Sequence, residues 1–143
     1  MTSGDDRHAS SADNASIQRR AKSSQSVGAR GEQFAADWLR ARGYEVVARN
    51  WHCMYGEIDL VVLDGPEVVF VEVKSRRGST MGTPEEAVTA AKQRHLIQSA
   101  QCYLAETAQE QKPYRIDVLA LDLAASGALL HVRHFKSCVS ADW

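Results

Sequence analysis

The sequence predicts an α/β protein built on one mixed central sheet flanked by helices. Residues 56–75, GEIDLVVLDGPEVVFVEVKS, read as two apolar strands around a Gly-Pro turn. A long helical pattern, TPEEAVTAAKQRHLIQSAQCYLAETAQ, separates that hairpin from a further strand, YRIDVLALDL at 114–123. Hairpins make antiparallel neighbours and a strand–helix–strand crossover makes parallel ones, so the sheet is mixed.

The elements follow in order. Residues 1–26 are rich in Ser, Asp, Arg and Ala, and Met1 and Ile17 are their only larger apolar residues. Such a segment buries too little surface to offset its ordering entropy, which predicts a disordered tail before a single domain over 27–143. In GARGEQFAADWLRARGY, residues Phe34, Ala35, Trp38 and Leu39 form one apolar helical stripe, and Gly43 is a stop signal. YEVVARN at 44–50 reads as a short strand and NWHCMY as a loop. After the hairpin comes a polar loop, RRGSTMG. The second helix has a full start signal, with Thr83 as N-cap, Pro84 at N1 and Glu86 closing a capping box. Its core face is Ala87, Val88, Ala91, Ile97, Ala100 and Leu104. Pro113 marks a boundary, and ALLHVRHF at 128–135 supplies a last strand. The order is α-β-β-β-α-β-β, with no internal repeat.

The chain of 143 residues carries a formal net charge of −1. Binders that rely on phosphate contacts alone show a basic excess, so composition disfavours that class but not a protein whose acids are neutralised by metal. The three cysteines, Cys53, Cys102 and Cys138, are far apart and form no CxxC. They suggest neither a zinc site nor a disulfide framework, and fit a reducing cytoplasm. No apolar run approaches the ~20 residues that span a bilayer, no secretory h-region is present, and no P-loop or GxGxxG supports nucleotide-fuelled chemistry.

The hairpin holds four charges that such a segment does not need: Glu57, Asp59, Glu72 and Lys74. Strand alternation puts Ile58, Leu60 and Val62 on one side and Glu57, Asp59 and Val61 on the other. In the second strand Val69, Val71 and Val73 oppose Phe70, Glu72 and Lys74. A turn centred on Gly65-Pro66 sets Asp59 across from Glu72 and Glu57 across from Lys74. Facing carboxylates repel unless a raised pKa, a lysine or a cation compensates. Hard divalent cations prefer carboxylate and carbonyl oxygens. Two acids for a metal and a lysine beside the water it activates are the parts of metal-assisted phosphodiester hydrolysis. The alternative is a solvated sheet face carrying ordinary charges; Phe70 on that face argues against it. Glu32 borders the apolar face of the first helix and so points toward the sheet, although a first-turn acid also suits the helix dipole.

GxxGE on the first helix, then GEIDLVV, then VFVEVKSR, resembles the YraN family of small bacterial proteins, with a match from about Gly28 to Leu123 that includes TPEEAVTAAKQRHL and YRIDVLALD. That family is similar to the Holliday-junction-resolvase and restriction-endonuclease-like superfamily, whose active site is PD-(D/E)xK. The resemblance implies a restriction-endonuclease-like α-β-β-β-α-β core and an Mg²⁺- or Mn²⁺-dependent DNA endonuclease. It implies Asp59 and Glu72 as catalytic metal ligands, the Val73 backbone carbonyl as a further ligand and Lys74 as the catalytic lysine. Glu32 matches the helix acid that binds metal directly or through water. The proline of the motif is absent, with Ile58 before Asp59. Branched or structured DNA is the implied substrate, and the two-fold symmetry of a junction implies a homodimer.

Other candidates have two readings each. Arg76 and Arg77 could hold phosphates or be solvated loop cations, and Lys92 could face the site or sit on the helix surface. Trp51 and Tyr55 could stack on an unpaired base or pack on the sheet edge. Arg115 and Asp117 share a strand face and read as a structural ion pair. The rival functions are a non-catalytic nucleic-acid-binding module and a protein-interaction domain, neither of which has a reason to keep Lys74 beside both acids.

Overall fold

A computed structural model describes residues 29–77 and 88–139. The tail expected over 1–26 and the helix start expected at Thr83–Glu86 lie outside the described residues. The elements are helix α1 (29–41), strands β1 (Glu45–Cys53), β2 (Gly56–Asp64) and β3 (Glu67–Arg77), helix α2 (Ala90–Glu106), and strands β4 (Tyr114–Leu123) and β5 (Leu129–Val139). The α-β-β-β-α-β order of the core is therefore the one expected from the sequence.

The sheet runs β1-β2-β3-β4-β5. Only the β3–β4 pair is parallel; the others are antiparallel. Helices cover both faces. On one, Ala35, Ala36 and Leu39 of α1 pack on Leu60, Val62, Val69, Val71, Leu119 and Leu121. On the other, Leu96, Ala100, Tyr103 and Leu104 of α2 pack on Ile58, Val61, Phe70, Ile116 and Val118. A sheet covered on both sides needs strands that are apolar throughout, which is why β4 reads almost without alternation. No helix among the described residues is long and apolar enough to cross a membrane, and all three cysteines are free.

Gly43 ends α1 with φ 93°, and Tyr44 N–H bonds back to the Leu39 carbonyl at 3.1 Å. The second hairpin turns at Gly65-Pro66, Gly65 taking φ 60°, and pairs Asp64 with Glu67.

Four local expectations are corrected. Strand β1 runs on to Cys53, absorbing most of the loop placed over 50–55, because Cys53 pairs with Gly56 around a two-residue turn. Val88 and Thr89 are not helical; Thr89 is extended and its hydroxyl accepts the Lys92 N–H, so α2 starts at Ala90 and no single helix runs through these residues from Thr83. The core face of α2 is consequently Gln93, Leu96, Ser99, Ala100, Tyr103 and Leu104, with Ala91 exposed. Ile58 packs on the α2 face while Leu60 and Val62 pack under α1, so the three do not share a side. Alternation breaks at Asp59, opposite Asn50, whose left-handed backbone (φ 50°) interrupts the β1–β2 ladder between Arg49↔Leu60 and Trp51↔Ile58.

Helix α1 approaches β3 through Gly31, where a Cβ would stand 2.6 Å from Ser75 Oγ and 3.3 Å from Leu121 Cδ1. Overpacking there outweighs the ~1 kcal/mol that alanine gains over glycine in a helix. Gly31→Ala is expected to lower the urea midpoint, by about 1 kcal/mol of net stability. Adding Ser75→Ala should recover most of the loss, and a single variant as stable as wild type would refute the contact.

Candidate active site

The β2–β3 ladder ends at Leu60↔Val71, one residue short of Asp59 on β2 and Glu72 on β3. The backbone there serves the side chains: Val73 N–H donates to Asp59 Oδ2 at 2.8 Å. Within a strand the N–H and C=O of one residue point the same way, so the Val73 carbonyl also faces the Asp59 side. Glu72 is only 6% exposed. Its Oε2 lies 3.8 Å from Lys92 Nζ, and its Oε1 is buried with no hydrogen-bond partner.

A second group of acids meets at Asp59. Glu32 from α1, Glu57 and Asp59 each offer a carboxylate oxygen, all within 4.8 Å of one another. Asn50, with its amide nitrogen turned to the acids, donates to Glu32 Oε1 and Glu57 Oε2, both at 2.9 Å. The kink at Asn50 is thus also the strut that ties α1 to β2. Glu57 reaches His52 Nε2 at 3.1 Å as well.

The electrostatics are unbalanced. Glu72 is pushed up to about 8, by burial first and by the Asp59 charge second, against the pull of Lys92 and Lys74. Glu32 is raised to about 7, again by burial and then by Asp59. Asp59 is raised by burial and by Glu57, with the Val73 N–H opposing. Burial and mutual repulsion therefore outweigh two lysines. The converging carboxylates of Glu32, Glu57 and Asp59, with the orphaned buried oxygen of Glu72 whose carboxyl Asp59 also repels, fit a hard divalent cation, whose charge would offset that repulsion.

A raised carboxyl stabilises the fold while protonated. For Glu72 that contribution is complete below its ordinary value of 4.5 and is lost as pH rises through about 8. In metal-free protein, Glu72→Gln is expected to gain stability relative to wild type as pH goes from about 5 to about 9. Urea midpoints in EDTA measure this; a gap that does not widen with pH would contradict it.

Lys74 is half-buried and its charge reaches Glu72. Lys92, left open between site and surface by the sequence, lies at Glu72. Arg76 is half-buried, while Arg77 is exposed and donates to the Ala125 carbonyl at 3.4 Å, away from the acids. Trp51 sets its ring edge-on to Tyr103, centroids 5.2 Å apart, and packs against the α2-side core. Arg115 Nε pairs with Asp117 at 3.1 Å, the structural ion pair read from the strand. Glu57 and Asn50 were missing from the expected site. For Glu57 the signal existed, two residues from Asp59 on the same strand; nothing local marked Asn50.

These features define a class: an α/β protein whose mixed sheet and first helix gather carboxylates at Asp59, beside a buried glutamate that two lysine charges reach. The sequence profile described as uncharacterised protein family UPF0102 matches residues 31–121, and the chain belongs to that family. It is 52% identical over 106 residues to a UPF0102 protein of Symbiobacterium thermophilum, covering 74% of this chain and 90% of that one. A UPF0102 protein of Nocardia farcinica is 43% identical over 123 residues, covering 86% and 96%. A third, from Beutenbergia cavernae, is 46% identical over 110 residues, covering 77% and 92%.

Proposed function

We propose that this protein is a divalent-metal-dependent DNA endonuclease, using Mg²⁺ or Mn²⁺ and acting on branched or otherwise structured DNA. The reading rests above all on Glu72: a buried carboxyl with an unpartnered oxygen, beside a second acid and within reach of two lysine charges. Asp59, Glu72, the Val73 carbonyl and Glu32 are the ligands, with Glu57 added by its place in the acidic group. The bound ion would supply a Lewis acid for the phosphate and a lowered pKa for a coordinated water. Asp59 is oriented by the Val73 N–H, and Glu32 and Glu57 are spaced by Asn50. Lys74 orients the attacking water or stabilises charge on the phosphate. Lys92 holds Glu72 in place. The preference for branched DNA, and a homodimer to match it, follow from the likeness to resolvases.

The test is cleavage of linear, nicked, flapped and four-way-junction DNA by the full chain with Mg²⁺, Mn²⁺ or EDTA. Metal-dependent cutting, greatest on a branched substrate, is expected. Metal-independent cutting, or DNA binding with no cutting on any substrate, would replace the nuclease reading with that of a contaminant or a binding module.

A further inference from the structure

A cavity of about 280 Å³ opens at the C-terminal ends of the parallel pair β3–β4, away from the acidic group. Phe34, Leu121, Leu123 and Leu129 give it apolar walls, and Arg30 and Arg77 stand at its polar side. Among the described residues neither arginine has a carboxylate partner. Arg77 is nevertheless held in place. Its Nη1 donates to the Ala125 carbonyl, and its Nη2 lies over Gly127, where a Cβ would come within 3.5 Å. Among the described residues that is the one hydrogen bond Arg77 makes, so the other donors of its fork can meet an anion.

We propose that this cavity takes one unpaired nucleotide of a DNA strand, its base against the apolar wall and its phosphate between Arg30 and Arg77. The inference rests on the nuclease reading above and extends it to substrate choice. Three features select this occupant. An aromatic ring and leucines suit a base face, and two guanidinia suit a phosphate, a combination that neither a bare anion nor an acyl chain matches. The volume lies just below the range of whole small-molecule sites, so one base-sized group enters and a duplex does not. The cavity is also next to the acidic site along the chain: its wall residue Ser75 follows Lys74, and Gly31 precedes Glu32. On the nuclease reading, a strand that reaches both places would be single-stranded at the cavity, which would favour flapped or branched DNA over blunt duplex.

The test is titration of the full chain, in EDTA, with thymidine 5′-monophosphate, thymidine and inorganic phosphate, followed by calorimetry or NMR shifts. The monophosphate should bind more tightly than either part. Arg77→Ala should weaken it by about tenfold or more. Ser126→Trp, placed on the exposed rim, should block it. A short single strand should compete and bind more tightly than the free nucleotide. Monophosphate binding no tighter than phosphate, both variants binding like wild type, or a single strand that does not compete would each overturn the assignment. Neither metal nor cleavage enters the titration. Nucleotide binding without nuclease activity would thus sink the nuclease reading and keep the cavity; cleavage without nucleotide binding would sink the cavity alone.

Discussion

Lys74→Ala is expected to lower metal-dependent DNA cleavage by about 10²- to 10³-fold, a loss typical of removing one charge-stabilising group from a reacting centre. The residue sits two positions beyond Glu72 on β3, half-buried, and its charge acts on that carboxyl. Removing it should leave the fold intact, since no ion pair or hydrogen bond among the described residues depends on its ammonium. It should also raise the Glu72 carboxyl further, because Lys74 is one of the two cations that lower it. On the proposed reading, metal binding is expected to weaken modestly while turnover falls steeply, and the two are separable. The measurement is single-turnover cleavage of the preferred substrate at saturating metal, beside a metal titration read by thermal stability. Equal cutting by wild type and variant would remove Lys74 from the chemistry and suggest a contaminating nuclease.

Asp117→Ala is expected to cost about 3–5 kcal/mol of stability, the range for removing one partner of a buried ion pair. Asp117 is fully buried. Burial alone would push its carboxyl up. His134 Nε2 at 2.8 Å, the Ser137 N–H at 2.8 Å and Arg115 Nε at 3.1 Å outweigh that and hold it below the usual carboxylate range. The stability it contributes is present above its ordinary value and lost as pH falls through the depressed one. Arg115 in turn reaches Asp64 at 3.0 Å, Glu67 at 2.7 Å and the Tyr44 hydroxyl at 3.1 Å. One carboxylate thus ties β4 to β5 directly and, through Arg115, to the β2–β3 turn and the end of α1. Its loss strands the Ser137 N–H and removes one acid from a half-buried guanidinium, which keeps two others. Urea unfolding at neutral pH measures the cost; a change under about 1 kcal/mol would show the network to be dispensable.

What could be read from the chain were features set by near neighbours. Gly43 and the Gly65-Pro66 turn stop one element and reverse another through backbone chemistry confined to a few residues, so the hairpin register from Asp64↔Glu67 to Leu60↔Val71 followed. The helix–strand order and the mixed sheet followed from periodicity and connection type in the same way. The candidate site is legible to that extent because three of its acids, Glu57, Asp59 and Glu72, and one of its lysines, Lys74, lie on one hairpin.

Tertiary structure decided the rest. Alternation assumes a regular strand, and it failed at Ile58, where the β1–β2 ladder is interrupted at Asn50, whose backbone is left-handed. The same residue joins Glu32 to Glu57, which makes the acidic group three-membered. Lys92 reaches Glu72 across 20 positions of sequence, and His134 reaches Asp117 across 17. The arginine-rimmed cavity needs α1, both parallel strands and the β4–β5 turn together. Local sequence determined which elements form and which residues can be charged. How far each charge is buried, and which charge answers it, depends on packing between distant segments, and that alone sets the acids of this site against one another.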